Sequence, residues 1–150
     1  MKKLMTYLIV GIFACLAWSC SDDNDTPDRV VSASDLPKGA TTFVNDMYPG
    51  ATITRAEIDI DKGMTYYDVR LSNGADIEFD SSGDWVKVEA PAGYPVPESI
   101  VPDGIKKYMT DFYPQAYVRE ISRDLYGWEI EISNGLDVYF DNDFNVKRVD

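Results

Sequence analysis

Asp68 and Glu78 lie symmetrically about Asn73, and Glu131 and Asp137 symmetrically about Asn134, each pair in a stretch with Ser-Asn-Gly at its middle. If each stretch folds as a hairpin, the two carboxylates of a pair face each other across neighbouring strands with Cβ atoms roughly 5 Å apart. Opposed carboxylates of this kind resemble the acid and nucleophile of a retaining glycosidase. Like charges held face to face also destabilise a sheet by some tenths of a kcal/mol, which invites a basic or cationic partner. What accompanies the pairs argues against catalysis. The chain has no histidine, so it lacks the commonest general base and the usual near-neutral proton switch. An open sheet offers the carboxylates no water-excluding pocket and no second catalytic shell. Acidic clusters at residues 22–25, 80–84 and 141–145 suggest calcium, but none has EF-hand spacing, and Asp, Asn and Gly are what turns use anyway. The chain reads as noncatalytic, with no cofactor and no assigned metal; cation binding, and behind it a carboxylate-pair glycosidase, are the alternatives.

The elements that position these residues are legible from one repeated pattern. Residues 67–80 return as residues 128–141, with apolar and charged residues alternating on both sides of Ser-Asn-Gly, the pattern of strands with one buried and one wet face. Residues directly opposite in a hairpin share a face, so Tyr67, Val69 and Leu71 must face Phe79, Ile77 and Ala75. That pairing leaves a three-residue loop, Ser72-Asn73-Gly74, in which a left-handed glycine closes a type I turn at a bulge. The second copy sets Ile132 opposite Leu136, Ile130 opposite Val138 and Trp128 opposite Phe140. The other face then carries Tyr66, Asp68, Arg70, Asp76, Glu78 and Asp80 from the first hairpin, and Glu129, Glu131, Asp137, Tyr139 and Asp141 from the second.

A helix precedes each hairpin. Pro37 and Pro102 open them, since proline is tolerated in a first turn. Ala40, Phe43, Val44 and Met47 form one apolar stripe, and Ile105, Tyr108, Met109 and Phe112 the other. Tyr48-Pro49 and Tyr113-Pro114 end them. Gly39 and Gly104 recur at a cost of about 1 kcal/mol each in a helix interior, and we expect each to let its helix lie close against the sheet. Further strands fall near residues 53–60 and 117–123, and after each hairpin near residues 85–89 and 146–150. The hairpins recur at an offset of 61 and the helices at 65, so the second copy is four residues shorter, which points to trimming of the Asp61-Lys62-Gly63 turn. The last strands do not reveal their facing: Val86 and Val88 alternate inward but match Lys147 and Val149, and Trp85 fits either face. Residues 90–98, with Pro91, Pro95 and Pro97, read as a stiff crossover, because each half alone has only about fifty residues with which to form a core.

The N-terminus gives an address. Lys2 and Lys3 precede a mostly apolar run, residues 5–18, shorter than the ~20 apolar residues a bilayer span needs, so residues 1–19 read as a secretory signal. Leu16-Ala17-Trp18-Ser19-Cys20 resembles a bacterial lipoprotein cleavage box, with Trp18 bulky and Ala17 where leucine is commoner, and it implies lipidation of Cys20. The acidic stretch Ser21-Asp22-Asp23-Asn24-Asp25 resembles a tag for the outer face of an outer membrane. Residues 20–34 read as an acidic, flexible tether. Cys15 lies within the signal, so beyond Cys20 no thiol remains and the domain must be held by its core. Without Lys2 and Lys3, 12 basic residues face 26 acidic ones, a formal charge of about −14 that makes nucleic acid a poor partner.

The expected fold is α+β: two tandem helix-plus-four-strand repeats forming one antiparallel sheet of about eight strands, with two helices on one face and the other face open to water. The domain spans residues 35–150, with repeats at 35–89 and 99–150. This layout, with its Leu36-Pro37 and Val101-Pro102 helix starts, Tyr-Pro helix ends and Asn-Gly hairpins leading to Phe-Asp, resembles the PepSY-like proteins grouped with the beta-lactamase inhibitor protein. The resemblance implies a concave sheet that grips a partner protein. It carries over no contact residue, and the inhibitor's disulfides have no counterpart here. The expected partner face is Tyr66, Asp68, Arg70, Asp76, Glu78, Trp85, Glu129, Glu131, Asp137 and Tyr139, meeting a protein or an envelope polymer from a monomer at the cell surface. Arg55, Lys87, Arg119 and Arg148 on neighbouring strands offer a plainer account, in which they neutralise the carboxylates and leave a solvated face.

Overall fold

Each Ser-Asn-Gly segment closes a hairpin of the length that face parity demands. A computed structural model of the chain describes residues 29–150. The secretory signal, Cys20 and the first part of the expected tether lie outside the described residues. In the first hairpin the Leu71 N–H donates to the Ala75 carbonyl at 2.9 Å, and the Gly74 N–H donates to the Leu71 carbonyl at 3.0 Å. Gly74 has φ of +92°, a conformation that a Cβ would strain. The second hairpin repeats this: Ile132 donates to Leu136 at 3.0 Å, Gly135 to Ile132 at 2.8 Å, and Gly135 has φ of +85°. The serine has its own task, because Ser72 Oγ accepts from the Thr52 N–H at 3.0 Å and Ser133 Oγ from the Tyr117 N–H at 3.2 Å. Each loop is thereby tied to the start of the strand that precedes its hairpin, Ile53–Asp61 or Val118–Asp124.

The elements run β1 (Arg29–Val30), α1 (Lys38–Met47), β2 (Ile53–Asp61), β3 (Met64–Leu71), β4 (Asp76–Asp80), β5 (Trp85–Glu89), α2 (Asp103–Phe112), β6 (Val118–Asp124), β7 (Gly127–Ile132), β8 (Asp137–Phe140) and β9 (Val146–Val149). The nine strands form one open antiparallel sheet in sequence order. It has one strand more than expected. The extra one is β1, which corrects the reading of residues 20–34 as tether throughout. Arg29 pairs with Ile58 and Val30 with Glu57, and the Val31 N–H donates to the Ala56 carbonyl at 2.9 Å. A 3-10 turn follows, closed by a capping box between Ser32 and Asp35. The outer edge of β2 has backbone groups that need partners, and residues 29–31 supply them.

Phe79, Phe140, Leu71, Ile77, Ile105, Ile121, Ile130 and Ile132 are fully buried in a single core. Both helices cover the same sheet face: the Phe43 ring meets Phe79 edge-on at 5.6 Å, and Tyr108 meets Phe140 at 5.3 Å. Ala40, Val44, Ile105 and Met109 are the buried helix positions. Phe112, counted in the apolar stripe, is instead 66 % exposed at the last residue of α2, where its ring stacks on Tyr108 at 4.9 Å. The connection between β5 and α2 buries Ala90 and Val96, and β5 pairs directly with β6, so the sheet is continuous across it. Gly39 sits where a Cβ would lie 2.8 Å from the Gly83 carbonyl oxygen, and a Cβ at Gly104 would lie 2.7 Å from the Phe144 ring. Both helices press on a turn between strands at their N-terminal ends.

The four-residue difference between halves is not a trimmed turn. β6 and β7 have seven and six residues against nine and eight in β2 and β3, so each strand is two shorter, and a two-residue tip survives in both. Bulges recur at matching places: between Ile53 and Arg55 and between Val118 and Glu120, then between Glu78 and Phe79 and between Tyr139 and Phe140.

Candidate functional site: the open sheet face

Cross-strand register sets the open face in rows. The middle row runs Glu57, Asp68, Glu78, Lys87, Ser122, Glu129, Tyr139, Arg148 from β2 to β9. The row nearer the Ser-Asn-Gly loops runs Arg55, Arg70, Asp76, Glu89, Glu120, Glu131, Asp137. Five consecutive strands, β4 to β8, therefore present a carboxylate at one level. The expected facing pairs form, with Asp68 opposite Glu78, Glu131 opposite Asp137 and Arg70 opposite Asp76. Tyr66 lies opposite Asp80 near the far end. Glu89 and Glu120 complete the row but stand on strands whose facing the sequence leaves open.

Cations answer part of this charge. Arg70 donates through Nε and Nη2 to the two Asp76 carboxylate oxygens at 2.8 Å each. Arg55 pairs with Glu57 at 2.6 Å, Lys87 with Glu120 at 2.9 Å, Arg119 with Glu131 at 2.6 Å and Arg148 with Asp150 at 2.8 Å. The Arg148 guanidinium also lies 4.0 Å from the centre of the Tyr139 ring. All four cations expected to neutralise the face do make ion pairs, each worth only about 0–1 kcal/mol at such exposure. Acidic groups remain in excess. Burial raises the Glu78 carboxyl above its ordinary 4.5, and the charge of Asp68 opposite pushes the same way, against the pull of Lys87.

Trp85 is not on this face. The bulge makes Phe79, not Asp80, the partner of Trp85, and leaves Val86 as the extra residue. The indole thus shares the core side with Phe79, 6.3 Å from Phe43 and 6.1 Å from Trp128, with the Arg123 guanidinium 4.4 Å from its ring centre. The same bulge carries Val86 to the margin of a depression of about 1020 Å³. This depression is a notch. The β2–β3 and β6–β7 hairpins are long, whereas β4 and β5 have five residues each, so two long hairpins stand either side of a short one. Met64 and Tyr66 line one wall, Leu125 and Tyr126 the other, Glu78, Val86 and Lys87 lie between, and Tyr139 extends the lining beyond the β6–β7 hairpin. Leu125 is 86 % exposed, Tyr126 75 % and Met64 53 %. The sequence signal for these residues was an apolar pair at a hairpin tip, bracketed by Asp124 and Gly127.

A second, shallower hollow of about 380 Å³ holds Arg55, Asp68, Asp76, Glu78 and Glu89. Of its carboxylates Asp68 is exposed while Asp76, Glu78 and Glu89 are half-buried, and the Glu131 carboxylate beside it is engaged by Arg119. The acidic turns hold themselves together. Asp80 Oδ1 accepts from the Ser82 and Asp84 N–H groups at 2.8 and 3.0 Å, Asp124 Oδ1 from Tyr126 and Gly127 at 2.7 and 3.0 Å, and Asp141 Oδ1 from Asp143 and Asn145 at 2.9 Å each. Among the described residues no group of three or more potential ligands is placed to hold a metal ion.

The chain is similar to known proteins over most of its length. A family model described as "Putative beta-lactamase-inhibitor-like, PepSY-like" matches residues 65–148. A Bacteroides vulgatus protein of the DUF2874 family, provisionally described as periplasmic, is 36 % identical with a TM-score of 0.78, over 83 % of this chain and 97 % of its own. A Bacteroides thetaiotaomicron protein, provisionally described as calcium-regulated and periplasmic, is 32 % identical with a TM-score of 0.76, over 82 % of this chain and 96 % of its own. A third structure, a provisionally periplasmic B. vulgatus protein of unknown function, is 29 % identical with a TM-score of 0.78, over 82 % and 98 %. No curated protein matches the chain significantly.

Proposed function

The chain belongs to the PepSY-like, beta-lactamase-inhibitor-like family, and from that premise we propose that it is a noncatalytic binding module of the cell envelope, inhibitor-like in using its open sheet face to hold a partner protein or an envelope polymer. The carboxylate row Asp76, Glu89, Glu120, Glu131 and Asp137 is the observation that carries this reading. Like charges at one level on adjacent strands oppose folding. Arg70, Lys87 and Arg119 pair with Asp76, Glu120 and Glu131, and the negative excess left on the row is accounted for by a partner that brings positive charge. The family and the periplasmic description of its relatives support an envelope location. In our reading the chain is an outer-membrane lipoprotein held through lipid on Cys20, monomeric and surface-exposed, and its halves at residues 35–89 and 99–150 are tandem repeats. Tyr66, Asp68, Arg70, Asp76, Glu78, Glu129, Glu131, Asp137 and Tyr139 form the partner face, joined by Glu89 and Glu120. The face serves binding better than glycoside hydrolysis, because its carboxylates are spread across an open sheet and Asp76, Glu120 and Glu131 are held by Arg70, Lys87 and Arg119.

The test is crosslinking and pull-down of the full-length protein from intact cells, against Glu89→Lys with Asp137→Lys. We expect one envelope or secreted partner, lost in the double variant while its melting temperature is kept; undiminished capture would remove the carboxylate row from the reading. The calcium-regulated description of the B. thetaiotaomicron relative favours a second reading, in which the acidic face responds to a divalent cation. Calorimetric titration with calcium separates it: neither heat nor a shift in melting temperature would end that reading.

A further inference from the structure

The two ends of the open face differ in chemistry. At the Ser-Asn-Gly end lies the carboxylate row; at the other lies the notch, with Met64, Leu125 and Tyr126 exposed on its walls. We propose that the notch seats an apolar side chain of a protein partner, whose backbone runs extended along the face and brings lysine or arginine onto the carboxylate row. This deepens the binding role proposed above and rests on it.

Turn chemistry gives no reason for a leucine and a tyrosine at the β6–β7 tip. Turns take Gly, Asn, Asp or Pro, and the matching tip of β2–β3 has Lys62-Gly63 with φ of +50° and +81°, as such a turn requires. The turn at β6–β7 is instead held by the Asp124 carboxylate, leaving both tip side chains in water. Large apolar residues at an exposed tip, beside a depression of this size, are what an interface anchor needs. The lining of the notch carries four cations and four carboxylates, no net charge, so the notch selects apolar character and the row selects positive charge. The separation fixes the spacing. From Glu120 to Leu125 is five residues along one strand, roughly 16 Å at about 3.3 Å per residue. An extended partner segment must therefore hold its apolar and basic residues about five positions apart. The acidity of the tips at this end, with Asp61, Asp124, Asp141 and Asp143, disfavours an anionic membrane as the occupant.

The test uses full-length protein in detergent and fluorescein-labelled heptapeptides, read by anisotropy. Two have leucine at one end and a lysine pair at the other, in either orientation, with serine and threonine between; the third has the same composition with the lysine pair directly beside leucine. At least one separated peptide should bind ten-fold or more tighter than the adjacent one, and Leu125→Ser with Tyr126→Ser should erase that preference. Equal affinity for all three, lost with Glu89→Lys and Asp137→Lys, would overturn the notch and leave the acidic face standing. Peptide binding untouched by those lysines would overturn the acidic face as well. Binding of soluble peptidoglycan fragments with no peptide bound would overturn a protein as the occupant.

Discussion

Replacing Gly39 by alanine sets two effects of known sign against each other. Alanine is favoured over glycine in a helix by up to about 1 kcal/mol, less at the second residue of α1 where Gly39 stands, so propensity alone predicts a slightly more stable protein. The added methyl would lie 2.8 Å from the Gly83 carbonyl oxygen, 3.2 Å from its carbon and 3.4 Å from its Cα. All three are backbone atoms, and none can rotate away. The turn that holds them is fixed by the Gly83 N–H on the Asp80 carbonyl at 2.9 Å, by the Asp80 carboxylate on two further N–H groups, and by φ of +86° at Gly83. Relief requires α1 to lift by several tenths of an ångström, loosening Ala40 and Val44 from the core. Overpacking of this sort costs about 1–3 kcal/mol.

The net expectation is a loss of about 1 kcal/mol, read as a fall in melting temperature of roughly 3–6 °C for a domain of this size. Urea denaturation gives the free energy directly, and the exposed mid-helix change Asn45→Ala should raise stability by a few tenths of a kcal/mol in the same helix. A rise in melting temperature for Gly39→Ala would show that the helix is not seated on the β4–β5 turn, and would refute the reason given for a glycine there.

Two further substitutions test groups whose surroundings oppose them. The folded-state value of Glu78 lies above its ordinary 4.5, so the folded state holds the proton more tightly than the unfolded state. Its contribution to stability is full below 4.5 and lost as pH rises through the folded-state value, leaving the ionised group a net burden at pH 7. Glu78→Gln should therefore raise the melting temperature at pH 7 and flatten the stability profile above pH 4.5; an unchanged profile would contradict the assignment. Burial pushes the Tyr48 hydroxyl up to about 12, and that oxygen has no hydrogen-bond partner among the described residues. A buried unpaired hydroxyl costs about 1–3 kcal/mol, so Tyr48→Phe should stabilise the protein by about 1 kcal/mol in urea melts, and a loss of stability would reveal a partner.

Features that follow from side-chain alternation were legible in the sequence. Placing Leu71 opposite Ala75 fixed the loop length, and with it the facing of Asp68, Glu78, Glu131 and Asp137. Proline and tyrosine marked both helices to within a residue. Bulges carry no such signal, because an inserted residue reverses parity without altering composition. That is why Trp85 and Val86 exchanged faces relative to simple alternation, and why Glu89 and Glu120 did not join Asp76 and Glu131 into a row until the register was known. The docking of Arg29 and Val30 was hidden for another reason: a two-residue strand has no period, and its stability comes from the open edge of β2.

Within a frame that places its bulges and its Ser-Asn-Gly glycines alike in both halves, the β6–β7 tip departs in both of its residues. Lys62-Gly63 in the first half meets the backbone demand of a tight turn, whereas Leu125-Tyr126 in the second meets none, since the Asp124 carboxylate secures that turn. Residues kept for the fold and residues kept for a partner can therefore be separated by one double substitution. Leu125→Ser with Tyr126→Ser removes little buried surface, and surface changes of that kind alter stability by less than about 0.5 kcal/mol. Coincident urea melts of variant and parent, together with weakened capture of the partner, would assign the pair to recognition. A loss above about 1 kcal/mol would mean that the two side chains support the hairpin itself, and the notch would then be a by-product of unequal strand lengths.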